Sequence, residues 1–363
     1  MVVRHNLTLA ELYPHWNCDE DDRLICRAIY SETQDIKTFA FTPAEPRQFN
    51  FAPGQFLTFE FPIDGETVNR SYTISSTPTR PFSITITVKR SPGGVVSNWL
   101  HDHLQVGDVV RAVGPLGEFS TWAHPAEKRL FLSGGVGATP MMSYVRRDFD
   151  MGEDFDTLYV HFARTPKDIV FRRELESMAI RRMNLKIAYV AEQMENERFW
   201  SGLRGRFSPH LFATVAEDFL EREIFCCGPA PFMAAVRGHL AASGFDMRRY
   251  HEESFDFDAL PQAEQEAAPP PPDATVRSFE ITFAKSNRTV ECDENTSILA
   301  AARLAGMRLP ASCAKGLCGT CKSRKLEGTV EMNHAGGIRQ REVDAGMILL
   351  CCSTPRSDIV IDR

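Results

Sequence analysis

The chain has 363 residues, enough for two or three domains. Its apolar content of 43% and charged content of 25% are those of an ordinary water-soluble protein, and its net charge of -7 argues against nucleic acid as a general partner. No apolar run approaches the roughly 18 residues of a transmembrane helix, and the N-terminus lacks a secretory pattern, so we expect a cytoplasmic protein with no membrane partner.

Residues 1–21 carry no informative pattern, and we treat them as an N-terminal extension. From Asp22 to His124, short apolar runs alternate with polar residues and are separated by turns rich in glycine and proline. The predicted strands are 24–30, 38–42, 55–61, 82–89 and 108–113. This pattern predicts a small antiparallel β-barrel over residues 22–124.

Two segments of this block carry groups that suit a bound phosphate. In the extended segment Arg70-Ser71-Tyr72-Thr73, the arginine can bind a phosphate and the tyrosine ring can lie against a flat aromatic group, although an exposed strand face would look the same. Downstream, a glycine turn leads into a predicted helix start, where free amides and the Ser97 hydroxyl suit a pyrophosphate. The candidate binding residues of this second segment are Val88, Lys89, Gly94, Val95, Val96 and Ser97.

Residues 125–258 alternate predicted strands with predicted helices of about ten residues, which is typical of a parallel α/β sheet. The predicted strands are 129–135, 157–164, 185–191 and 223–229. The predicted helices are 139–149, 171–181 and 230–244. We therefore expect a nucleotide-binding type of fold in this block.

A glycine turn, SGGVGATP, follows the first strand of this block and opens a helix. The glycines permit close backbone approach to a diphosphate, although a simple tight turn explains them equally well. The turn departs from the dinucleotide fingerprint, because Pro140 occupies the third glycine position and Arg164 stands where an acid would end the second strand. The candidate binding residues here are Gly135, Val136, Gly137, Thr139 and Pro140.

A linker at residues 259–275 contains four consecutive prolines and should be extended and semi-rigid. Residues 276–363 follow as a separate block that is compatible with a β-grasp fold. Its helix is predicted at 297–305, capped by Asn295 or Thr296 and closed by Gly306. Its predicted strands are 279–285, 288–294, 323–326, 347–350 and 359–361.

Four cysteines of the last block have the spacing C-x4-C-x2-C, followed by a fourth after 29 residues. They are Cys313, Cys318, Cys321 and Cys351. This spacing matches that of a plant-type [2Fe–2S] ferredoxin. A structural zinc site or buried thiols are the alternatives, but zinc sites usually pair their ligands in two short C-x2-C units. Cys352 competes for the fourth position, and the 29-residue gap favours Cys351.

These motifs resemble the ferredoxin–NADP reductase superfamily. R-x-Y-T followed by G-G-x-x-S resembles its flavin-binding domain, in particular the FAD-binding members, and the glycine turn with a later C-G-P-x-x-F resembles its nucleotide site. The resemblance implies that Arg70 binds the flavin phosphates, that Tyr72 lies against the isoalloxazine, and that Thr73 approaches flavin N5.

The same resemblance implies a hydride-transfer site. Cys227 would lie beside the nicotinamide C4, and Glu253 and Phe255, in a terminal E-x-F motif, would cover the site. The other residues of the C-G-P-x-x-F motif that would hold the nucleotide are Gly228, Pro229 and Phe232. Relatives with an appended ferredoxin mostly use NADH, which we expect here, while selection of a 2'-phosphate by Arg164 stays open.

The order FAD module, NAD(H) module and [2Fe–2S] module resembles the reductase components of multicomponent oxygenases, in which FAD converts the electron pair of a hydride into single electrons. The runs HFARTPKDIVFRREL and HEESFDF resemble the reductases of glycine betaine monooxygenase and of the hybrid-cluster protein. The implied partner is a Rieske-type oxygenase that demethylates a quaternary ammonium compound, or else the hybrid-cluster protein. A redox sensor or adaptor without turnover is a third interpretation, against which the intact nucleotide motifs argue.

The last block is basic although the whole chain is acidic. Residues 276–363 hold 13 Lys and Arg against 10 Asp and Glu. The positive residues in or beside the cysteine loop are Lys315, Lys322, Arg324 and Lys325. They predict a docking face for an acidic patch on the partner, although such charge runs are usually just solvated surface. We expect the reductase itself to be a monomer.

Overall fold

The structure is a computed structural model, which describes residues 13–194, 199–255, 277–307, 309, 311, 316, 319–334 and 337–363. The chain divides into two compact units. The first comprises Met1–Phe56, Tyr72–Arg111 and Gly117–Phe255, and the second comprises Leu57–Ser71, Ala112–Leu116 and Asp256–Arg363. The predicted linker at 259–275 lies outside the described residues.

The predicted antiparallel architecture of the first block is confirmed. Its six strands are β1 (Arg23–Ser31), β2 (Ile36–Thr42), β3 (Phe56–Ile63), β4 (Glu66–Thr73), β5 (Ile84–Lys89) and β6 (Val109–Leu116), in the sheet order β4-β3-β6-β1-β2-β5. A bridge between Ile74, just after β4, and Ile86 of β5 joins the two edge strands, which closes the sheet into a barrel. Helix α1 (Val95–Asp102) follows β5.

Part of the N-terminal segment pairs with the barrel sequence. The Trp16 amide donates to the Gln48 carbonyl oxygen at 2.8 Å, and the Gln48 amide donates to the Pro14 carbonyl oxygen at 3.0 Å. Trp16 is buried. The described residues of this segment therefore contribute to the packing of the first unit.

The second block has the predicted parallel sheet. Its strands are β7 (Lys128–Gly134), β8 (Asp156–Ala163), β9 (Leu185–Ala191), β10 (Leu203–Arg204), β11 (Glu223–Cys227) and β12 (Tyr250–Glu253), in the order β10-β9-β8-β7-β11-β12. Its helices are α2 (Ala138–Met151), α3 (Arg172–Arg181), α4 (Pro209–Val215) and α5 (Ala230–Ala242). The central strands are apolar and buried along their length, as expected of a parallel sheet covered on both faces. No helix in the described ranges is both long and apolar enough to span a membrane.

The C-terminal block forms a five-stranded mixed sheet in the order β14-β13-β19-β15-β17, with a two-stranded β16-β18 ribbon. The strands are β13 (Ser278–Phe283), β14 (Arg288–Asp293), β15 (Lys322–Glu327), β16 (Val330–Met332), β17 (Met347–Leu349), β18 (Ser353–Pro355) and β19 (Ile359–Ile361). Its helices are α6 (Ile298–Leu304) and α7 (Gln340–Asp344). The parallel pairing of β13 with β19 agrees with the β-grasp prediction.

One local prediction in this block was wrong, and one strand ends a residue earlier than predicted. The cap of α6 is Ser297, whose hydroxyl accepts from the Ala300 amide at 3.3 Å, because the Thr296 hydroxyl donates to Asp293 instead. The last predicted strand before the fourth cysteine stops at Leu349, and Leu350–Cys352 form a 3-10 turn. Cys351 therefore lies on a turn, where its side chain is not constrained by strand alternation.

Candidate functional site

The carboxyl ends of three parallel strands meet at one edge of the nucleotide-block sheet. Ser133 of β7 pairs with Cys227 of β11, and Cys227 pairs with Glu253 of β12. Thr73 ends strand β4 of the barrel, and its hydroxyl donates to Glu253 Oε2 at 3.0 Å. The structure thus brings together the three predicted catalytic residues from segments far apart in the chain.

Burial sets the protonation states of Cys227 and Glu253, which with Thr73 form what we call the corner. Cys227 is fully buried, which raises the pKa of its thiol well above the usual value, so the side chain stays a neutral thiol at pH 7. Burial also raises the pKa of the Glu253 carboxyl to about 8, and the hydrogen bond from Thr73 acts in the opposite direction. The carboxyl group of Glu253 is therefore largely protonated at neutral pH. Phe255 is half-buried beside the same core.

The glycine turn and the C-G-P motif pack backbone against backbone. A Cβ on Gly137 would lie 2.2 Å from the Cys227 carbonyl oxygen, and one on Gly134 would lie 2.9 Å from Pro229 Cδ. A Cβ on Gly228 would in turn lie 3.0 Å from the Gly134 amide nitrogen. Side chains at these positions would push the two motifs apart, which gives a physical reason for glycine in both.

The end of this turn fits a diphosphate. Gly135 has φ +54°, a conformation that favours glycine, and Gly135–Gly137 form a 3-10 turn that runs into α2. Helix α2 begins after a glycine, so no side chain caps its first amides. Pro140 is buried in the first helical turn, and the Thr139 hydroxyl donates to the Val136 carbonyl oxygen at 3.1 Å. Phe232, at the start of α5, packs against Phe162, with ring centroids 5.0 Å apart.

Three polar side chains of α2, which sequence reasoning missed, donate hydrogen bonds to the backbone of the barrel block, two of them just after Thr73. The Ser143 hydroxyl donates to the Ser76 carbonyl oxygen at 2.6 Å, and Arg146 Nη1 donates to the Ser75 carbonyl oxygen at 2.5 Å. Tyr144 Oη donates to a carbonyl oxygen of the barrel block at 2.6 Å. No signal in the sequence pointed to them, because their partners are backbone carbonyl groups that the fold brings into reach.

A buried histidine beneath the glycine turn was also missed. His161 of β8 pairs with Ser133, and its Nδ1 lies 2.7 Å from the Ser133 hydroxyl. Burial lowers the pKa of His161 to about 4, so the ring is neutral at physiological pH. Its Nε2 has no hydrogen-bond partner among the residues that the structure describes. The single histidine within an apolar strand gave no recognisable motif.

The predicted flavin segment lies on strand β4. Arg70, Ser71 and Tyr72 are half-buried, and the Ser71 hydroxyl lies 2.9 Å from the Thr58 hydroxyl on β3. Arg70 and Ser71 belong to the second compact unit, whereas Tyr72 belongs to the first. A half-buried guanidinium suits a phosphate, and a half-buried phenol ring suits a flat aromatic group.

The second flavin segment folds as a turn at the start of α1. A Cβ on Gly94 would lie 2.5 Å from Ser97 Oγ, and that oxygen accepts from the Ser91 amide at 3.2 Å. Gly94 has no side chain to cap the first amides of α1, so the turn offers free donors and a hydroxyl, as a pyrophosphate requires. The neighbouring candidates Val88 and Val96 are buried, and Lys89 and Val95 are exposed.

The described part of the cysteine loop places the sulfur atoms of both Cys351 and Cys352 near Gly316, since a Cβ on Gly316 would lie 2.6 Å from Cys352 Sγ. The Gly316 amide donates to Cys351 Sγ at 3.3 Å, whereas Cys352 Sγ lies 3.7 Å from the Leu349 carbonyl oxygen. Gly319 has φ +69°, and a Cβ there would lie 2.6 Å from the carbonyl oxygen of Gly337. A tight glycine loop with an amide directed at a cysteine sulfur fits a sulfur-ligated cluster. Cys321 is buried, and Cys313 and Cys318 lie outside the described residues.

The predicted positive face needs one correction. Lys322 is only 6% exposed, and its Nζ lies 2.7 Å from Glu342 and 3.3 Å from Glu60, so it cannot be part of an accessible docking face. Arg324 is exposed, and Lys325 is half-buried. The fourth residue of the predicted face, Lys315, lies outside the described residues.

Comparison with known protein families assigns three domains. Residues 25–121 match the oxidoreductase FAD-binding domain, and residues 131–238 match the oxidoreductase NAD-binding domain. Residues 281–356 match the 2Fe-2S iron-sulfur cluster binding domain. The three cofactor types predicted from the motifs are thereby confirmed at the level of domains.

Relatives match over nearly the whole chain. The glycine betaine monooxygenase reductase subunit of Pseudomonas aeruginosa (strain UCBPP-PA14) is 46% identical, over 93% of this chain and 94% of its own length. The stachydrine N-demethylase reductase subunit of Rhizobium meliloti (strain 1021) is 43% identical, over 93% of this chain and 96% of its own. The structure of phthalate dioxygenase reductase is 26% identical with a TM-score of 0.57, over 96% of this chain and 100% of its own. The chain therefore belongs to the family of FAD-, NAD- and 2Fe-2S-binding oxidoreductases that serve as the reductase components of monooxygenase systems.

Proposed function

We propose that this protein passes electrons from NADH, through FAD and a [2Fe–2S] cluster, to a Rieske-type oxygenase that demethylates a quaternary ammonium compound such as glycine betaine. The observation that carries the proposal is the meeting of Thr73, Cys227 and Glu253 at one corner, beside a glycine turn suited to a diphosphate. The names of the relatives, which refer to glycine betaine and to demethylation of stachydrine, support the substrate class.

Each residue of the corner has a proposed task. When bound, FAD and the cluster supply two-electron acceptance and one-electron delivery. The neutral thiol of Cys227 packs against the nicotinamide, and the protonated carboxyl of Glu253 holds a proton beside it. Thr73 orients that carboxyl group, and Phe255 covers the corner. Cys227 and Thr73 are buried, which limits the access of water to these two side chains.

The remaining predicted residues would hold the cofactors. Their assignments rest on the local fits described above for the flavin segments, the glycine turn and the cysteine loop. The proposed FAD residues are Arg70, Ser71, Tyr72, Val88, Lys89, Gly94, Val95, Val96 and Ser97. The proposed NADH residues are Gly135, Val136, Gly137, Thr139, Pro140, Gly228, Pro229 and Phe232. The proposed cluster ligands are Cys313, Cys318, Cys321 and Cys351.

We retain the domain limits 22–124, 125–258 and 276–363 as part of the proposal. Each of the three matched family domains falls inside one of these ranges, which supports them. A cytoplasmic location and a monomeric state stay predictions.

We also propose that the oxygenase meets the ferredoxin face that includes Arg324 and Lys325. Support comes from the exposure of Arg324 and the excess of 13 Lys and Arg over 10 Asp and Glu in residues 276–363. Transient redox complexes depend on complementary charge, so coupled turnover should fall as ionic strength rises from about 0.01 to 0.15 M and the Debye length shrinks from about 30 to about 8 Å. Arg324→Glu should flatten this salt dependence, and a parental salt response in that variant would count against the face.

The decisive experiment is reconstitution. The purified protein, shown by metal analysis to contain iron and no zinc, is mixed with NADH and a glycine betaine oxygenase component, and formaldehyde release is measured. We expect release that requires both proteins and is faster with NADH than with NADPH. Zinc in place of iron, or electron delivery to the hybrid-cluster protein but not to the oxygenase, would contradict the proposal.

A further inference from the structure

The side chain of Lys322 is enclosed between carboxylates of two different segments. It follows directly after Cys321, and only 4% of its side chain is exposed. Its Nζ lies 2.7 Å from Glu342 Oε1, in α7, and 3.3 Å from Glu60 Oε1, on strand β3. The side chains of Glu60 and Glu342 are themselves 16% and 15% exposed. Lysine is almost never this buried unless it is paired, so the arrangement requires a structural explanation.

Glu342 fixes the position of the ammonium group from within the C-terminal block. Its second carboxylate oxygen accepts from the Arg339 amide at 2.8 Å, which anchors the carboxylate at the start of α7. The ammonium group of Lys322 is therefore positioned by Glu342, and Glu60 on strand β3 accepts a hydrogen bond from the same group. All these residues belong to the second compact unit.

Further contacts join the same parts of the second unit. Arg339, which is 7% exposed, donates from Nη2 to the Ala112 carbonyl oxygen on β6 at 3.4 Å. Asn69 on β4 donates to the Gly319 carbonyl oxygen at 3.5 Å, the long end of the hydrogen-bond range. Strands β3, β4 and β6 thus each contribute one contact to the region around the cysteine loop.

We propose that Lys322, Glu60 and Arg339 form a latch that docks the ferredoxin block on the barrel segments of the same compact unit, Leu57–Ser71 and Ala112–Leu116, and so positions Cys321 for electron transfer. The proposal rests on the proposed function. Lys322 is a positioning residue, because it acts through the placement of the loop and not on the reacting groups. Because Lys322 is buried, it is not available to contact the oxygenase, whereas Arg324 is exposed.

The latch can be tested without turnover by acetylating lysines of the full-length holoprotein and measuring each site by mass spectrometry. Lys285 is the internal control, because its side chain is 48% exposed and its ion pair with Asp362 stays within the ferredoxin block. We expect Lys322 to react far more slowly than Lys285. Equal rates in the parent protein would overturn the latch directly.

The Glu60→Gln variant tests the barrel side without altering the cysteine loop. The change removes the negative charge of residue 60 but leaves an acceptor oxygen, and Lys322 keeps Glu342, so acetylation of Lys322 should accelerate by about tenfold to a hundredfold. The rate at which the iron–sulfur absorbance bleaches after mixing with NADH should fall, while flavin bleaching and iron content stay parental. Lys285→Met should behave as the parent.

The outcomes separate the latch from the proposed function. If Glu60→Gln does not change the rate at which Lys322 is acetylated, the latch is overturned, whichever protein accepts the electrons. Faster acetylation with unchanged iron–sulfur bleaching overturns the positioning role. Faster acetylation with slower bleaching supports the latch even if the glycine betaine oxygenase proves not to be the partner.

Discussion

The hydrogen bond from Thr73 to Glu253 gives a prediction that depends on one atom. Thr73→Val removes the hydroxyl, which lies 3.0 Å from Glu253 Oε2, and keeps the shape of the side chain. Because the hydroxyl donates to the carboxylate, its loss destabilises the charged form and must raise the pKa of Glu253 further. A hydrogen bond to a charged group contributes about 1.5–3 kcal/mol, so the titration midpoint should rise by about one to two pH units above the parental value of about 8.

The assay is infrared difference spectroscopy of the carbonyl band of a protonated carboxylic acid, followed from pH 6 to about pH 10. The Glu253→Gln variant, which lacks the band, identifies it. Thr73→Ser is the matched control, since it keeps the donor and should titrate as the parent does. A midpoint in Thr73→Val that is unchanged, or lower, would refute the reasoning.

The same pKa fixes the sign of a stability effect. The folded carboxyl keeps its proton up to about pH 8, whereas the unfolded chain releases it near the ordinary value of 4.5. Between these values the unfolded state binds fewer protons, so the free energy of unfolding falls with rising pH by about 1.4 kcal/mol per pH unit. Glu253→Gln should remove this contribution, so its stability relative to the parent should increase across that window in denaturant titrations.

Three further predictions test the rest of the site. Cys227→Ser should slow flavin reduction by NADH in stopped-flow mixing by about ten- to a hundredfold without loss of flavin or iron, because a misplaced nicotinamide reacts slowly; a parental rate would remove Cys227 from the site. Gly137→Ala adds a Cβ 2.2 Å from the Cys227 carbonyl oxygen. It should lower the free energy of unfolding by about 1–3 kcal/mol and raise the KM for NADH. An unchanged KM would contradict the packing. Cys351→Ser should lose iron whereas Cys352→Ser should keep it, and the reverse result would move the fourth ligand by one residue.

The fold was predictable from the sequence in segments where the apolar residues follow a clear strand or helix spacing. The buried β8 and the amphipathic α2 lie within a residue or two of their predicted limits, because a strand buried on both faces and a helix with one apolar face leave different patterns. Strand β10 has two residues and β12 reads YHEE, so neither offers an apolar pattern. Such short or polar strands exist because a neighbouring strand provides their hydrogen bonds, which is information that lies elsewhere in the chain.

The candidate site was predictable where the chemistry needs glycine or cysteine at a fixed spacing. Gly137 and Cys227 belong to such motifs, and the structure packs them together. Arg146 and His161 were not predictable, because their partners are backbone or buried groups that the fold brings into reach. The error at Lys322 has the same cause: charge in a sequence says nothing of burial, and the carboxylate of Glu60 is remote in the sequence.

The raised pKa of Glu253 depends on contacts from several elements of the first unit. Its donor, Thr73, is the last residue of a barrel strand, and the chain just after Thr73 is held by Arg146 of α2 through the Ser75 carbonyl oxygen at 2.5 Å. Its neighbour, Cys227, is held against the glycine turn at the start of the same helix. Helix α2 thus contacts the chain on both sides of the Glu253 carboxyl group. It therefore fixes the position of Thr73, the donor, relative to Glu253, the acceptor. Burial raises the pKa of this carboxyl group, and the hydrogen bond from the Thr73 hydroxyl limits the rise.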